Sequence, residues 1–275
     1  MQLPPLAISN AGLPRVASGV VGAADFVPAG SDARVFFAWA RELGYEQVQL
    51  DLTQPTLRPR ELDGSARRDV AKTIVRSGLQ LAGVDLFVPP ADFLDAARVD
   101  RATAAVLAAI ECGADLRLGC VVSVVLPTGI DVGVLRAIAA QAERFGVRVA
   151  DHAWPARQID AALGHAVGIG IDPAAMMVQT NATGTKGSVA VSARDIPNTV
   201  ATLAAAPIAA RWSEAGIVGR ITHGERASGL DVLQYAAVLG ARGYGGAMVV
   251  DLRSVVEQSV AARGAVKVWG EAMNR

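Results

Sequence analysis

Six short apolar runs in this chain end in a charged or titratable residue: QVQLD (47–51), LQLAGVD (79–85), VRVADH (147–152), VGIGID (167–172), PIAAR (207–211) and AMVVD (247–251). Strands of a parallel α/β sheet are covered on both faces and read as continuous hydrophobic runs, and ligands meet such a sheet beyond the carboxyl ends of its strands. Asp51, Asp85, Asp151, His152, Asp172, Arg211 and Asp251 are therefore expected on one rim. An Asp placed just after a strand also has a plain structural use, as the N-cap of the next helix or the anchor of a turn. Several carboxylates around one mouth, however, repel one another and call for a cation, a proton or hydrogen-bond donors.

The other unusual choices at strand ends are basic or aromatic. Arg211 interrupts the alanine-rich run PIAARW, where a charge is costly unless it is paired or faces a ligand, so it is the candidate binder of a carboxylate or phosphate. His152 titrates near neutrality and is either a hydrogen-bonded structural residue or a proton carrier. Trp154 and Trp212, just beyond two of the runs, serve either as apolar walls for a sugar ring or as packing. His223, Glu225 and Arg226 form a polar cluster further on, read either as a loop closing over a substrate or as a solvated loop. TGTKGS (183–188) lacks the spacing of a phosphate-binding P-loop, and no G-x-G-x-x-G follows the first strand.

These residues need a scaffold, and the chain alternates strand and helix throughout. Strands are expected at 6–10, 47–52, 79–87, 118–125, 147–152, 167–172, 207–211 and 247–251. Helices are expected at 31–43, 64–76, 100–112, 134–145, 156–163, 194–205, 230–242 and 254–273, with Ser31 and Asp32 capping the first, and Gly78, Gly113 and Gly146 just past three others. Eight strands in strict alternation with eight helices require right-handed crossovers and a parallel sheet. At 275 residues they close most naturally into a (β/α)8 TIM barrel, one domain over 1–275, with an open doubly wound sheet as the alternative. A chain that is 52% hydrophobic can bury so large a core.

Composition narrows the partners. Lys plus Arg equals Asp plus Glu at 26 each, which argues against a nucleic-acid or membrane-surface partner. No run has transmembrane length, and the N-terminus lacks the pattern of a secretion signal. Cys112 and Cys120 give neither a disulfide framework nor metal-ligand spacing, so they read as buried, reduced thiols in a cytoplasmic protein. A homodimer stays open.

The segments WARELGYEQVQLDL (39–52), AERFGVRVADHAW (142–154), VGIGIDPAA (167–175) and GLDVLQYAAVLGARGYGGAMVVDL (229–252) together resemble the sugar phosphate isomerase/epimerase family, the xylose-isomerase-like barrels. The resemblance covers nearly the whole chain. It implies a small carbohydrate substrate and one divalent metal (Mn, Mg or Zn) held by residues ending strands five to eight. Carried over by position, those ligands fall on His152, Asp172, Arg211 and Asp251. The family's strand-seven His is Arg211 here, and an arginine has no lone pair for a metal. Two readings follow. In one, His152, Asp172 and Asp251 still hold a metal, helped by Asp151 or water. In the other, the Arg211 guanidinium takes the metal's electrostatic role while His152 and Asp251 move protons, with Asp51, Asp85, Trp154, Trp212, His223 and Glu225 contacting substrate.

The expected activity is an isomerase or epimerase on a small sugar, sugar phosphate or related polyol, by proton transfer next to a carbonyl. A dehydratase or lyase on an inosose-like substrate shares the first step. A sugar-binding barrel without catalysis is the alternative of a different class. On the metal-replacement reading, loss of Arg211 is expected to abolish turnover and to leave stability nearly unchanged.

Overall fold

In a computed structural model, residues 3–158, 165–177, 190–213, 229–253 and 255–273 are described. Eight parallel strands close into a barrel in chain order: β1 (Leu6–Ser9), β2 (Gln47–Asp51), β3 (Gln80–Asp85), β4 (Val121–Val124), β5 (Arg148–Asp151), β6 (Val167–Ile171), β7 (Ala209–Trp212) and β8 (Met248–Val250), with β8 pairing back onto β1. The helices of the described residues are α1 (Ala33–Leu43), α2 (Gly64–Arg76), α3 (Val99–Leu116), α4 (Val132–Phe145), α5 (Pro173–Met177), α6 (Ile196–Ala201), α7 (Val232–Ala241) and α8 (Gln258–Met273). No helix among them is long and apolar enough to cross a membrane.

Local chemistry starts several helices where the turn aspartates stand. Asp32, Asp63, Asp131 and Asp231 are N-caps whose carboxylates accept backbone N–H groups of Val35, Ala66, Gly133 and Gln234. One expected boundary is corrected. Gly113, placed past a helix end by its residue type, lies inside α3, which continues to Leu116. A Cβ at Gly113 would come within 3.4 Å of Cys120 Sγ and Val122, so the close approach of α3 to β4 outweighs the usual cost of a helical glycine. The helix expected at 156–163 is also corrected over residues 156–158, which are not helical, and its remainder falls outside the described residues.

Because strand side chains alternate, paired residues of neighbouring strands share a face. One set (Ile8, Val48, Leu50, Val84, Val122, Val149, Ile169, Trp212, Val250) is buried beneath the helices. Trp212 belongs here, with its ring 6.0 Å from that of Trp269 on α8. Tyr45 reaches the same helix by a 2.8 Å hydrogen bond to the Ala262 carbonyl. Both cysteines lie in this layer, and burial pushes their thiols up, Cys112 to about 11 and Cys120 to about 12, so neither is a nucleophile at neutral pH.

The other face points to the barrel axis. Ala7, Ser9, Gln47, Gln49, Gly83, Val121, Ser123, Ala150, Gly168, Gly170, Ala209, Ala247 and Val249 follow one another in register around it. Barrel interiors are commonly filled by layers of bulky branched residues. This one is built of small and amide side chains, which leaves room inside.

Candidate functional site

At the carboxyl ends of the strands, the inward positions of β3 and β7 bring Asp85 and Arg211 together with Asp172 and Asp251, the residues after β6 and β8. Arg211 is 3% exposed and lies in the middle. Its Nη1 donates to Asp172 Oδ2 at 2.9 Å, its Nη2 to Asp85 Oδ1, and its Nε lies 3.6 Å from Asp251 Oδ2. A second guanidinium, Arg253, completes the network: its Nη1 is 3.1 Å from Asp85 Oδ2, and its Nε donates to both oxygens of Asp251 at 3.1 and 3.0 Å. Three carboxylates and two guanidiniums thus share one buried cluster.

The electrostatics follow from that arrangement. Burial by itself would raise Asp172, but the charge of Arg211 and the Ser213 hydroxyl bound to Oδ1 hold its carboxyl below the ordinary range. Burial likewise opposes ionisation of Asp251, and Arg253 followed by Arg211 outweighs it, so this carboxyl is also held low. Asp51 has no guanidinium hydrogen bond among the described residues, and burial pushes its carboxyl up, partly offset by bonds from the Thr53 N–H and hydroxyl at 2.8 and 2.6 Å.

His152 follows β5, and its ring rests on the β6 backbone: a Cβ at Gly170 would lie 2.7 Å from three ring atoms. Its Nε2 is 3.1 Å from Ser123 Oγ, which accepts a further bond from Gln49 Nε2 at 3.3 Å. Nδ1 is buried and has no side-chain partner among the described residues, with the Ile171 backbone weakly favouring the protonated ring. Burial, then the positive charges of Arg211 and Arg253, hold the imidazole well below its usual pKa, so it is neutral at pH 7.

The chain places the remaining candidates differently. Asp151 shares no pocket with the others: it faces outward, accepts the N–H groups of Leu126 and Ala153 at 3.0 Å, and pairs with Arg157 at 3.2 Å. Two adjacent residues of one strand cannot both face the axis, and His152 takes the inward side. For the same reason Trp212 faces α8 while Arg211 and Ser213 face inward, which removes Trp212 from the rim. Trp154 is partly buried against the core. His223, Glu225 and Arg226 lie outside the described residues.

Arg253, Ser123, Ser213 and Gln49 were not singled out from the sequence. The alternation that hides Trp212 would have found Arg253, two positions past Asp251, and Ser213, two past Arg211. Space for Arg253 depends on Gly12, where φ is +78° and a Cβ would sit 2.7 Å from Arg253 Cα.

A divalent metal does not fit these residues. Among the described residues, no three His, Cys, Asp or Glu side chains are grouped to hold one. The oxygens of Asp172 and Asp251 are already taken by N–H and O–H donors, His152 Nε2 is tied to Ser123, and any added cation would meet two fixed guanidiniums.

No family model matches the sequence, and no curated protein does. Solved structures do match. They include D-psicose 3-epimerase from Clostridium cellulolyticum H10 with D-tagatose (13% identity, 98% of this chain and 99% of that chain, TM-score 0.65) and a xylose isomerase domain protein from Planctomyces limnophilus (12%, 99% and 98%, 0.65). A xylose isomerase domain-containing protein from Salmonella typhimurium LT2 matches over the full length of both chains at 13% identity, with a TM-score of 0.57. At such identities the likeness establishes a shared fold: this chain is similar to xylose-isomerase-like TIM barrel proteins.

Proposed function

We propose that the carboxyl end of this barrel isomerises or epimerises a small sugar by proton transfer next to a carbonyl, with guanidinium groups where the sequence resemblance implies a metal. The observation that supports this reading is a neutral imidazole, His152, within electrostatic reach of two guanidiniums at the strand ends. His152 Nδ1, the ring nitrogen not bonded to Ser123, takes the proton from the carbon beside the carbonyl, which requires the substrate to uncover this buried atom. The C–H electron pair becomes a C=C bond, the carbonyl π pair moves onto the oxygen, and N–H groups of Arg253 and Arg211 stabilise the resulting oxyanion. A proton shift from the neighbouring hydroxyl to this oxyanion, followed by return of the abstracted proton to the former carbonyl carbon on the same face, gives isomerisation. Return to the same carbon on the opposite face gives epimerisation and requires a proton donor there, a part that Asp251, ionised in this site, could take only after first gaining a proton. Arg253, with 29% of its side chain exposed against 3% for Arg211, is the guanidinium a substrate meets. Three carboxylates against two guanidiniums leave the cluster with one formal negative charge, which favours an uncharged sugar over a sugar phosphate.

A sugar-binding barrel without turnover draws support from the burial of His152 and Arg211, at 1% and 3% exposure. The test is deuterium exchange. Enzyme incubated in D2O with ketoses, aldoses and inososes is followed by NMR. Label entering the carbon next to the carbonyl, with EDTA present and lost in His152→Gln, is the expected result. Elimination of water would instead identify a dehydratase. Activity abolished by EDTA and restored by Mn, Mg or Zn would overturn the guanidinium reading, and sugar binding without exchange would support the binding barrel.

A further inference from the structure

The amino-terminal mouth of the barrel holds a cavity of about 330 Å3, lined by the starts of several strands and by the turn before β8. It exists because the axis-facing residues there are small, among them Gly83, Ala209 and Ala247. Its floor is polar: Gln47, Gln49 and Ser123 line it, and Arg117 and Arg148 stand at its edge. Among the described residues no acidic side chain lines it. Gln49 is 3% exposed, and its Oε1 is a buried acceptor that finds no donor among the described residues. Leaving a buried acceptor without a donor is unfavourable, so such a group at a cavity wall marks where a ligand donor belongs.

We infer that this cavity is a second binding site, distinct from the carboxyl-end cluster, for a small hydroxylated anion. Arg117 and Arg148 attract the anionic group at the mouth, and a hydroxyl of the ligand donates to Gln49 Oε1 inside. The site is coupled to the other end of the barrel, since Gln49 Nε2 donates to Ser123 Oγ, which is bonded to His152 Nε2. An occupant that orients Gln49 therefore acts on the imidazole through two hydrogen bonds, as a positioning effect.

Inorganic phosphate and glycerol 3-phosphate are the probes, with thermal unfolding and imidazole NMR as readouts. At ten times its Kd, glycerol 3-phosphate is expected to raise the Tm by about 2–3 °C. The rise is expected to vanish in Arg148→Ala, a change at an exposed residue, and in Ala209→Leu, which fills the cavity. Glycerol 3-phosphate should bind about tenfold more tightly than phosphate, the worth of one hydrogen bond, and the two should bind equally in Gln49→Leu. One of the three histidine signals, that of His152, should move on binding. Absence of any Tm rise, or a rise that persists in Arg148→Ala, overturns the site whatever becomes of Ala209→Leu. Equal binding of the two probes by the unaltered protein overturns the role given to Gln49. None of these readouts depends on turnover, so the site and the proposed isomerase stand or fall separately.

Discussion

At the carboxyl end of the barrel, Arg211 and Arg253 share Asp85 and Asp251, and nearly every charged atom faces a partner; at the amino end, Arg117 and Arg148 border a cavity with no lining acid among the described residues, and a buried amide oxygen goes without a donor. Both ends are polar, and they are made from the same eight strands. The difference lies in side-chain length. Long guanidiniums on β7 and just after β8 reach across the axis and neutralise the acids opposite. Alanines and glycines two or four residues earlier cannot reach one another, although Gln49 still reaches Ser123. A barrel end therefore closes or opens according to what stands at its inward positions, while the strand pairing is unchanged.

The largest effect belongs to the centre of the closed end. Arg211→Met would leave Asp85, Asp172 and Asp251 buried with one guanidinium among them, and urea unfolding should show a loss of about 3–5 kcal/mol. This corrects the expectation that stability would change little on losing Arg211: that expectation treated the side chain as facing a ligand, and it is a buried ion-pair partner. A variant as stable as the parent would show that the cluster is a catalytic feature with no structural duty.

Arg253→Gln separates catalysis from folding more cleanly, because this side chain is partly exposed. If Arg253 stabilises the oxyanion, kcat should fall roughly 10²–10³-fold. A change confined to KM would reduce Arg253 to a binding contact.

The pH dependence distinguishes the groups by sign. Asp172 and Asp251 have folded pKa values below their unfolded ones, so their contribution is complete above the ordinary carboxylate range and is lost as pH falls through it to the lower folded values. His152 is also depressed, so its contribution is complete above about pH 6.5 and is lost on acidification below that, at no more than about 1.4 kcal/mol per pH unit. Urea midpoints at pH 7, 6 and 5 should therefore decline in the parent and decline less in His152→Phe. Parallel declines would mean that the imidazole is not held neutral.

The smallest effects sharpen the contrast between the ends. Ser123→Ala removes the hydroxyl joining Gln49 to His152 and should cost about 1 kcal/mol, whereas Gln47→Ala, at the open mouth, should stay within about 0.5 kcal/mol. A cost at Gln47 as large as at Ser123 would mean that the amino end is packed as tightly as the carboxyl end.

Alternation of apolar strands with helices was enough to foresee a closed eight-stranded barrel, since burial on both strand faces and right-handed crossovers leave few other arrangements. It also foresaw that Asp85, Asp172, Arg211 and Asp251 end at one rim, because all of them follow or terminate parallel strands. Which neighbour of a pair faces the axis is decided by strand phase, and six apolar residues in a row carry no phase. Asp151 against His152 and Trp212 against Arg211 were for this reason undetermined until neighbouring strands fixed the register. Arg253 and the hollow amino end are tertiary in a stronger sense. A guanidinium three residues past β8 finds one of its acids, Asp85, on a strand more than 160 positions away in sequence, and a cavity exists only where small inward residues from distant segments meet.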